Sequence, residues 1–407
     1  MQLGQLEQWK DEIGQELEEN ILNFWIRHTQ DKLHGGFIGE ISSDMTMKPE
    51  ADKGLVLNAR ILWTFACAYR HAPDERYLEM ARRAYDELWN QFRDQEHGGL
   101  HWMVDVDGTP TQPKKQVYGQ AFTIYALAEF YRALPDPEVL RWAVELYELL
   151  EKHAYDNVHL GYFEAMASDW SPTREMSLSG KDMNEPKSMN THLHVLEAYT
   201  NLYRIWKPEG LRGKLAGLID IHLDKIVDGG NHHFKLFFSE DWVSQTSHIS
   251  YGHDIEGSWL LLEAAEVLGD DIRTERVKAE AIEMARVTLA EGTDFDGAIL
   301  NESDGQGHLD DTKDWWPQAE AVVGYLNAYQ LTGEQTFLEA AKNSWAFIQS
   351  YIRDDENGEW HWGVTRDGQP IAGEPKVSAW KCPYHNSRAC FEAMERIKHI
   401  LTTEGNR

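Results

Sequence analysis

Three histidines stand near the starts of three different helical segments, each beside polar or aromatic residues. They are His194, His253 and His385. Imidazole has an ordinary pKa of about 6.5, so it both accepts and donates a proton near neutral pH. A single helical histidine is more often a core or capping group than a catalyst. Three at equivalent points of a repeating chain predict one shared proton-transfer site.

Two short spacings give these histidines polar neighbours. Asn190 and His194 are four residues apart and therefore share a helix face. His253 and Glu256 are three apart, so we expect the carboxylate to fix the tautomer of the imidazole. Metal binding is the competing use of clustered histidines, but no zinc-binding spacing is present. The pattern predicts acid–base chemistry that needs neither a metal nor another cofactor.

Arginine and tryptophan supply the other candidate groups. Arg60 is flanked by apolar residues, so it forms either an inter-helix salt bridge or a guanidinium that stabilises an oxyanion. The chain has 16 tryptophans, which fits a thick aromatic core or a carbohydrate-binding surface. Trp315, Trp316 and Trp380 stand at predicted helix starts rather than within helices. That position favours stacking on sugar rings.

A repeating fold must position these residues. Glycine opens a short alternating stretch after each long helical one, at intervals of 61 to 69 residues, at Gly36, Gly99, Gly161, Gly230, Gly297 and Gly358. Aromatic and β-branched residues in these stretches, with turns such as Asp107-Gly108, predict short β-hairpins. Between the hairpins the apolar residues recur at helical spacing. Each repeat therefore holds two helices, about twelve in all.

Units of a long fixed period bury their faces only against their neighbours. Six such units can close into a barrel with six inner and six outer helices, or stack as an open solenoid. We favour closure, because six units is the usual complete ring and neither terminal unit resembles a polar cap. The prediction is an all-α protein, an (α/α)6 barrel with short β-hairpins in its connecting loops, forming one domain over residues 1–407.

In a closed ring the second helices of all units run the same way, so their N-terminal ends meet at one rim. These helix starts carry the polar and aromatic residues Asn58, Arg60, Tyr118, Gln120, Asn190, His192, His194, His253, Glu256, Trp315, Trp316, Trp380 and His385. Helix N-termini also attract anionic groups through free N–H donors and the macrodipole. The sequence predicts a pocket at this rim.

Composition limits the partners. The formal charge of -29 opposes binding to nucleic acid or to an anionic membrane. No apolar run approaches the roughly 20 residues needed to cross a bilayer. The first residues lack the regions of a signal peptide, and the three cysteines form no C-x-x-C motif. We expect a cytoplasmic protein with a small-molecule substrate, monomeric or weakly self-associating.

Five strings, in this order, resemble the N-acylglucosamine 2-epimerase superfamily and, within it, most closely the cellobiose 2-epimerases. They are residues 58–63, 188–197, 252–256, 315–320 and 383–388. The resemblance runs from about residue 8 to residue 400. It implies an (α/α)6 barrel that inverts C2 of the reducing-end glucose of β-1,4-linked disaccharides. Cellobiose would become 4-O-β-D-glucosyl-D-mannose, and lactose would become epilactose.

The resemblance also implies a mechanism and residue roles. The sugar ring opens, a base removes the C2 proton beside the aldehyde, and the resulting cis-enediolate is reprotonated on its other face. His253 and His385 would be the acid–base pair, His194 would assist ring opening, and Arg60 would hold the enediolate oxygens. The residues expected to bind the sugar are Tyr118, Asp182, Asn190, Glu256, Trp316 and Trp380. The sequence does not distinguish which histidine removes the proton, or whether the intermediate rotates about C2–C3.

Other activities compete with this one. An aldose–ketose isomerase would deliver the proton to C1, and a monosaccharide 2-epimerase of the same superfamily would act on a smaller sugar. An inverting glycoside hydrolase needs two carboxylates roughly 6.5–9.5 Å apart, whereas Glu256 is the only obvious acid at the rim. A non-catalytic carbohydrate-binding barrel would explain the tryptophans but not the histidines.

Overall fold

Long helices alternate between an outer and an inner position along the chain. The computed structural model describes residues 3–307 and 309–405. The outer helices in that part are α1 (Leu3–Gln15, continued by Glu16–Leu22 and Asn23–His28), α3 (Glu75–Glu87), α5 (Pro137–His153), α7 (Glu209–Ile221), α9 (Asp271–Val287) and α11 (Gln335–Phe347). The inner helices are α2 (Leu55–His71), α4 (Val117–Ala133), α6 (Met189–Ile205), α8 (Tyr251–Leu268), α10 (Trp315–Thr332) and α12 (Tyr384–Gly405).

The burial pattern explains the two layers. The first four turns of α2 are buried on every side, whereas α3 buries one stripe and exposes the rest. A helix that is apolar all round belongs in a core, and an amphipathic one covers it. Four outer helices widen into a π-helical turn at their C-terminal ends, at Leu88–Phe92, His222–Ile226, Thr288–Gly292 and Ile348–Ile352.

The inner helices form a closed ring. Each contacts the next from α2 to α12, and α12 contacts α2. The closed cycle excludes the open solenoid and confirms the (α/α)6 barrel. Among the described helices, none combines the length and the hydropathy that crossing a bilayer requires.

Short antiparallel strands join neighbouring units at the rim where the inner helices begin. The strand before an inner helix pairs with a strand of the next unit: Lys53–Gly54 with Met103–Val104, Lys115–Gln116 with Ala165–Met166, Lys187–Ser188 with Phe237–Phe238, Ile249–Ser250 with Glu302–Ser303, and Lys313–Asp314 with Gly363–Val364. Three further pairs are Glu40–Ile41 with Met47–Lys48, Met103–Val104 with Pro110–Gln112, and Glu302–Ser303 with Leu309–Asp310. The hairpins are present as predicted, and their strands also link one repeat to the next.

Buried lysines hold the rim turns. Lys115 donates to Asp94 over 2.6 Å and Lys187 to Asp156 over 2.7 Å, each aspartate lying just after an outer helix. The unit around Gly230 departs from this pattern, because Ile249 takes the lysine position. Its left-handed residue is His232, with φ of 63°, rather than the glycine that the repeat predicts. The repeat therefore locates this turn to within two residues.

Candidate active site

One cavity of about 550 Å³ opens at the rim. All ten predicted site residues line it: Arg60, Tyr118, Asp182, Asn190, His194, His253, Glu256, Trp316, Trp380 and His385. Every inner helix contributes at least one of them, because each side chain lies in the first two turns after the helix start or in the loop just before it. The closed ring thus gathers residues that are more than 300 positions apart in sequence.

His194 is held by a carboxylate from its own helix. Its Nδ1 lies 2.9 Å from Oε2 of Glu197, and the imidazole meets the ring of Tyr118 edge-on with centroids 4.9 Å apart. Burial alone would raise the pKa of Glu197, but the charge of Arg388 lowers it to about 2. An ionised Glu197 accepts the Nδ1 proton, which leaves Nε2 as the free acceptor of His194.

His385 is held by a carboxylate from a neighbouring helix. Its Nδ1 lies 2.7 Å from Oε1 of Glu320 in α10. Burial, together with the charges of Arg60 and Arg388, lowers the pKa of His385 well below its usual value. The ring is therefore neutral at neutral pH, the state in which an imidazole accepts a proton.

His253 has a hydroxyl partner, and the expected pairing with Glu256 is wrong. Its Nδ1 lies 2.7 Å from Oγ of Ser250, the residue just before α8. Glu256 turns away and accepts from Arg388 instead, because the guanidinium satisfies a buried carboxylate better than a neutral ring does. Burial, with the neighbouring His194, lowers the pKa of His253 to about 3.

Arg388 joins three buried glutamates behind the histidines. Its Nη2 donates to Glu256 over 2.5 Å and to Glu320 over 2.6 Å, and its Nη1 donates to Glu197. Burial raises the pKa of Glu256 to about 7, with Glu320 acting in the same direction and Arg388 opposing it. Oε2 of Glu256 is buried without a hydrogen-bond partner among the described residues.

Sequence reasoning did not select Glu197, Glu320 or Arg388 as site residues. One signal in the chain points to Glu320. It is the sixth residue of its inner helix, the position that Arg60, His194 and Glu256 hold in theirs.

Arg60 is a buried arginine without an ion pair. Among the described residues no carboxylate lies within 4.0 Å of its guanidinium. The inter-helix salt bridge, one of the two roles considered for Arg60, is therefore not formed by this part of the chain. Its Nη2 donates to the hydroxyl of Tyr118 over 2.8 Å, and its Nη1 lies 3.8 Å from Sγ of Cys382. The ring of Phe122 lies 4.3 Å from the guanidinium carbon. A desolvated cation of this kind is suited to bind negative charge that develops on a ligand.

The tryptophans divide between core and cavity. Trp316 is half-buried, and its indole contacts the rings of His253 and His385, with centroids 4.7 and 5.6 Å away. Trp380 is also half-buried and meets Tyr118 at 5.9 Å. Trp315 lines the cavity too, but it is only 3% exposed, so its role is chiefly packing. The indoles of Trp316 and Trp380 offer surfaces on which a sugar can stack.

Three polar residues predicted at the rim, Asn58, Gln120 and His192, do not line the cavity. Asn58 donates from its amide to the carbonyl of Gly54. His192 accepts a hydrogen bond at Nε2 from the backbone N–H of Tyr162 and donates from Nδ1 to the carbonyl of Ser188. Burial lowers its pKa to about 3. Gln120 holds the backbone of Leu100 with both ends of its amide. Each is the fourth residue of its inner helix, the position that faces the preceding hairpin.

One acid–histidine group at the cavity has metal-binding geometry. Ligand atoms of Glu256, Glu320 and His385 lie within 4.8 Å of one another. Arg388 already donates to both carboxylates and supplies the charge that a cation would bring. The arrangement favours an ion-paired cluster, and the prediction of metal-independent chemistry is left to experiment.

A closed (α/α)6 barrel whose rim cavity combines buried histidines, half-buried indoles and an arginine without a carboxylate partner among the described residues is the arrangement expected of a sugar-converting enzyme. The sequence model of the N-acylglucosamine 2-epimerase (GlcNAc 2-epimerase) family matches residues 36–389, and the chain belongs to this family. It is 44% identical to a cellobiose 2-epimerase of Bacteroides fragilis, over 95% of this chain and 98% of that protein.

Solved structures agree with this assignment. The cellobiose 2-epimerase from Bacillus thermoamylovorans B4167 is similar, with a TM-score of 0.92 and 39% identity over 96% of this chain and 100% of that chain. The enzyme of the same name from Spirochaeta thermophila DSM 6192 has a TM-score of 0.89 and 43% identity, over 98% of both chains.

Proposed function

We propose that this protein is a cellobiose 2-epimerase, an isomerase that inverts C2 of the reducing-end glucose of β-1,4-linked disaccharides. The observation that carries the proposal is the pair His253 and His385. Both imidazoles line one cavity, and both contact the indole of Trp316. In the protein without substrate, burial lowers the pKa of each ring. The names of relatives that match this chain over nearly its whole length support the same activity.

The chemistry needs a proton acceptor and a proton donor on opposite faces of one carbon. After ring opening, one imidazole starts neutral and removes the C2 proton, which the adjacent aldehyde makes acidic. The electrons move into a cis-enediolate. The other imidazole, which is neutral in the free protein, carries a proton in the complex with substrate. It returns this proton to C2 from the opposite face, so the two rings exchange protonation states in each turnover.

Arg60 and Tyr118 hold the oxygens of the enediolate. The guanidinium is buried and has no carboxylate partner in the described part of the chain, so its charge is available to the intermediate. The Tyr118 hydroxyl beside it is a second polar group. Such preorganised groups act most strongly where charge develops in a water-poor site.

The three histidines are supported differently, and this suggests different tasks. Carboxylates hold Nδ1 of His194 and His385, which keeps Nε2 of each ready to accept a proton. The Ser250 hydroxyl beside His253 can donate or accept, so it suits a ring that changes its protonation state. His194 lies beside Tyr118 and assists ring opening.

The remaining assignments concern the sugar rings and the setting of the enzyme. Asp182, Asn190 and Glu256 bind sugar hydroxyls, and Trp316 and Trp380 stack on the rings. The cavity draws on every inner helix, so residues 1–407 act as one catalytic domain. Buried, unpaired cysteines and the strong negative charge suit a cytoplasmic monomer or weak oligomer that does not bind nucleic acid.

The test is conversion of cellobiose by the purified protein in D2O with EDTA. We expect 4-O-β-D-glucosyl-D-mannose with deuterium at C2. Free glucose would identify a hydrolase, a 2-ketose as the only product would identify an isomerase, and activity lost to EDTA would restore a metal-ligand role to Glu256, Glu320 and His385.

A further inference from the structure

The cluster behind the histidines links two of them through one guanidinium. The two Nη groups of Arg388 point to opposite sides, one toward Glu197 and the other toward Glu256 and Glu320. Glu197 also accepts from His194, and Oε1 of Glu320 also accepts from His385 over 2.7 Å. A continuous path of hydrogen bonds therefore runs from one imidazole to the other through Arg388.

We propose that Arg388 is a positioning residue that sets the orientation of His194 and His385 together, so that the two rings act as one unit. This inference rests on the proposed epimerase function. The guanidinium touches no cavity surface itself; it is 1% exposed and acts through the carboxylates that it holds. A planar fork can bond two carboxylates at fixed angles, which a lysine ammonium does not reproduce.

Charge counting supports electrostatic coupling within the cluster. One guanidinium faces three carboxylates in a buried site, and like charges at short range resist ionisation together. The titratable groups around Arg388 are Glu197, Glu256, Glu320, Tyr125, Tyr384, His385 and Glu392. Those around His385 are Arg60, Arg388, His194, His253, Glu256 and Glu320. A proton gained by one imidazole therefore changes the field at the other.

Kinetics of Arg388→Lys test the fork, with Arg396→Lys as the matched control. Arg396 lies on the same helix two turns later and bonds Asn327 and Gln330, away from the cavity. We expect Arg388→Lys to lose about 100-fold in kcat, with KM changed less than about 3-fold, because a small misplacement of catalytic groups is costly. Arg396→Lys should retain the wild-type kcat. Wild-type kcat in Arg388→Lys would overturn the proposal.

A charge-removing variant tests the coupling. Arg388 lowers the pKa of His385, so Arg388→Gln should move the acid limb of the kcat/KM profile to higher pH. An unmoved limb in a folded variant would contradict the role. If Arg388→Gln does not fold, Glu197→Gln and Glu320→Gln replace it. Each should lose about 10- to 100-fold in kcat, and the double variant should lose less than the product of the two. If the two losses simply multiply in the double variant, Glu197 and Glu320 act independently, and the proposal that the two rings act together is refuted.

A measurement without substrate separates this inference from the epimerase assignment. In protein labelled with 15N-histidine, the signals of His194 and His385 are identified from their asparagine variants and followed with pH. In the inference's favour, Arg388→Gln changes the ring-nitrogen signals of both histidines, while Arg396→Lys changes neither. A change at one ring alone would contradict the coupling, even if the wild-type enzyme epimerises cellobiose. If the wild type converts no disaccharide, the proposed function fails, and these signals still decide whether the two rings are linked.

Discussion

The two ends of the barrel both contain a polar cavity, and they treat charge in opposite ways. At the far end, where the inner helices finish, a cavity of about 400 Å³ is lined by arginines that are all paired. Arg70 and Arg132 both bond Glu129 over 2.7 Å, and Arg204 bonds Glu263 over 2.6 Å. Cations also suit helix C-termini. This end has the character of a structural network.

The rim cavity leaves polar groups uncommitted. Arg60 has no carboxylate partner in the described part of the chain, and His253 has only the hydroxyl of Ser250. Oε2 of Glu256 is buried and unbonded. Leaving such groups unpaired costs stability, so their presence indicates a ligand that completes them. Pairing of charged groups, rather than cavity size, distinguishes the proposed active end from the structural end.

The largest effect should come from a histidine at the rim. We expect His385→Asn and His253→Asn each to lower kcat by about 1,000-fold, because general acid–base catalysis contributes about 10²–10⁴. His71→Asn, at the far cavity, should leave kcat unchanged. Steady-state kinetics on cellobiose, with circular dichroism to confirm folding, makes the comparison. Wild-type turnover in either rim variant would remove the proposed acid–base pair.

Arginine substitutions should have opposite signatures at the two ends. Arg60→Met should lower kcat by about 100-fold or more, since one oxyanion-stabilising donor is worth about 10²–10³, without lowering the melting temperature. Arg132→Met removes a partner of buried Glu129, so it should cost about 1 kcal/mol of unfolding free energy and leave kcat intact. Chemical denaturation and kinetics measure both. Equal loss of stability at both sites would contradict the contrast.

A smaller effect is expected at the indole that covers the rim cavity. Trp380→Ala removes a stacking surface for the sugar, and we expect KM for cellobiose to rise up to about 10-fold, because an aromatic contact contributes about 0.5–1.5 kcal/mol beyond the area that it buries. Trp380→Phe, which retains an aromatic face, should recover much of the affinity. Trp142→Phe, in the outer helix α5, is the control for a tryptophan that only packs. An unchanged KM in Trp380→Ala would remove this residue from the binding surface.

The smallest effect concerns acid stability. Burial lowers the pKa of His253 from 6.5 to about 3, so the folded protein keeps this ring neutral while the unfolded chain protonates it below pH 6.5. The contribution of this ring is therefore fully present above pH 6.5 and is lost as the pH falls toward 3. Melting temperatures between pH 7 and 5 should fall less steeply in His253→Asn than in the wild type. Parallel curves would show that this ring does not remain neutral in the fold.

The sequence was sufficient for the ring and for most of its rim. The glycine period predicts six units, and closure of six units brings to one cavity the nine site residues that come from the thirteen polar and aromatic residues at helix starts. The tenth site residue, Asp182, is implied only by the family resemblance. Spacing along one helix is less informative about partners. His253 and Glu256 are neighbours in α8, yet each bonds elsewhere, because Ser250 precedes the helix and Arg388 arrives from α12.

Orientation on a helix separates neighbours that look alike in sequence. His192 and His194 differ by two positions, so one grips the hairpin backbone while the other lines the cavity. The hydrogen bond between His385 and Glu320 joins two helices through residues that are 65 positions apart in the sequence. No local sequence pattern predicts a contact of that kind. Once the repeat is known, however, the sixth position of the inner helices, which holds Arg60, His194 and Glu256 in three of them, marks Glu320 as a candidate site residue.

The strand pairs at the rim have a consequence for engineering. Each short strand before an inner helix hydrogen-bonds to a strand of the following unit. Every one of these strand pairs at the rim therefore contains residues from two repeats. Grafting one loop from another enzyme would replace one strand in each of two strand pairs and leave the partner strands without their matching sequence. Exchanges intended to alter sugar preference should therefore replace the loops of two adjacent units together and leave the helices unchanged.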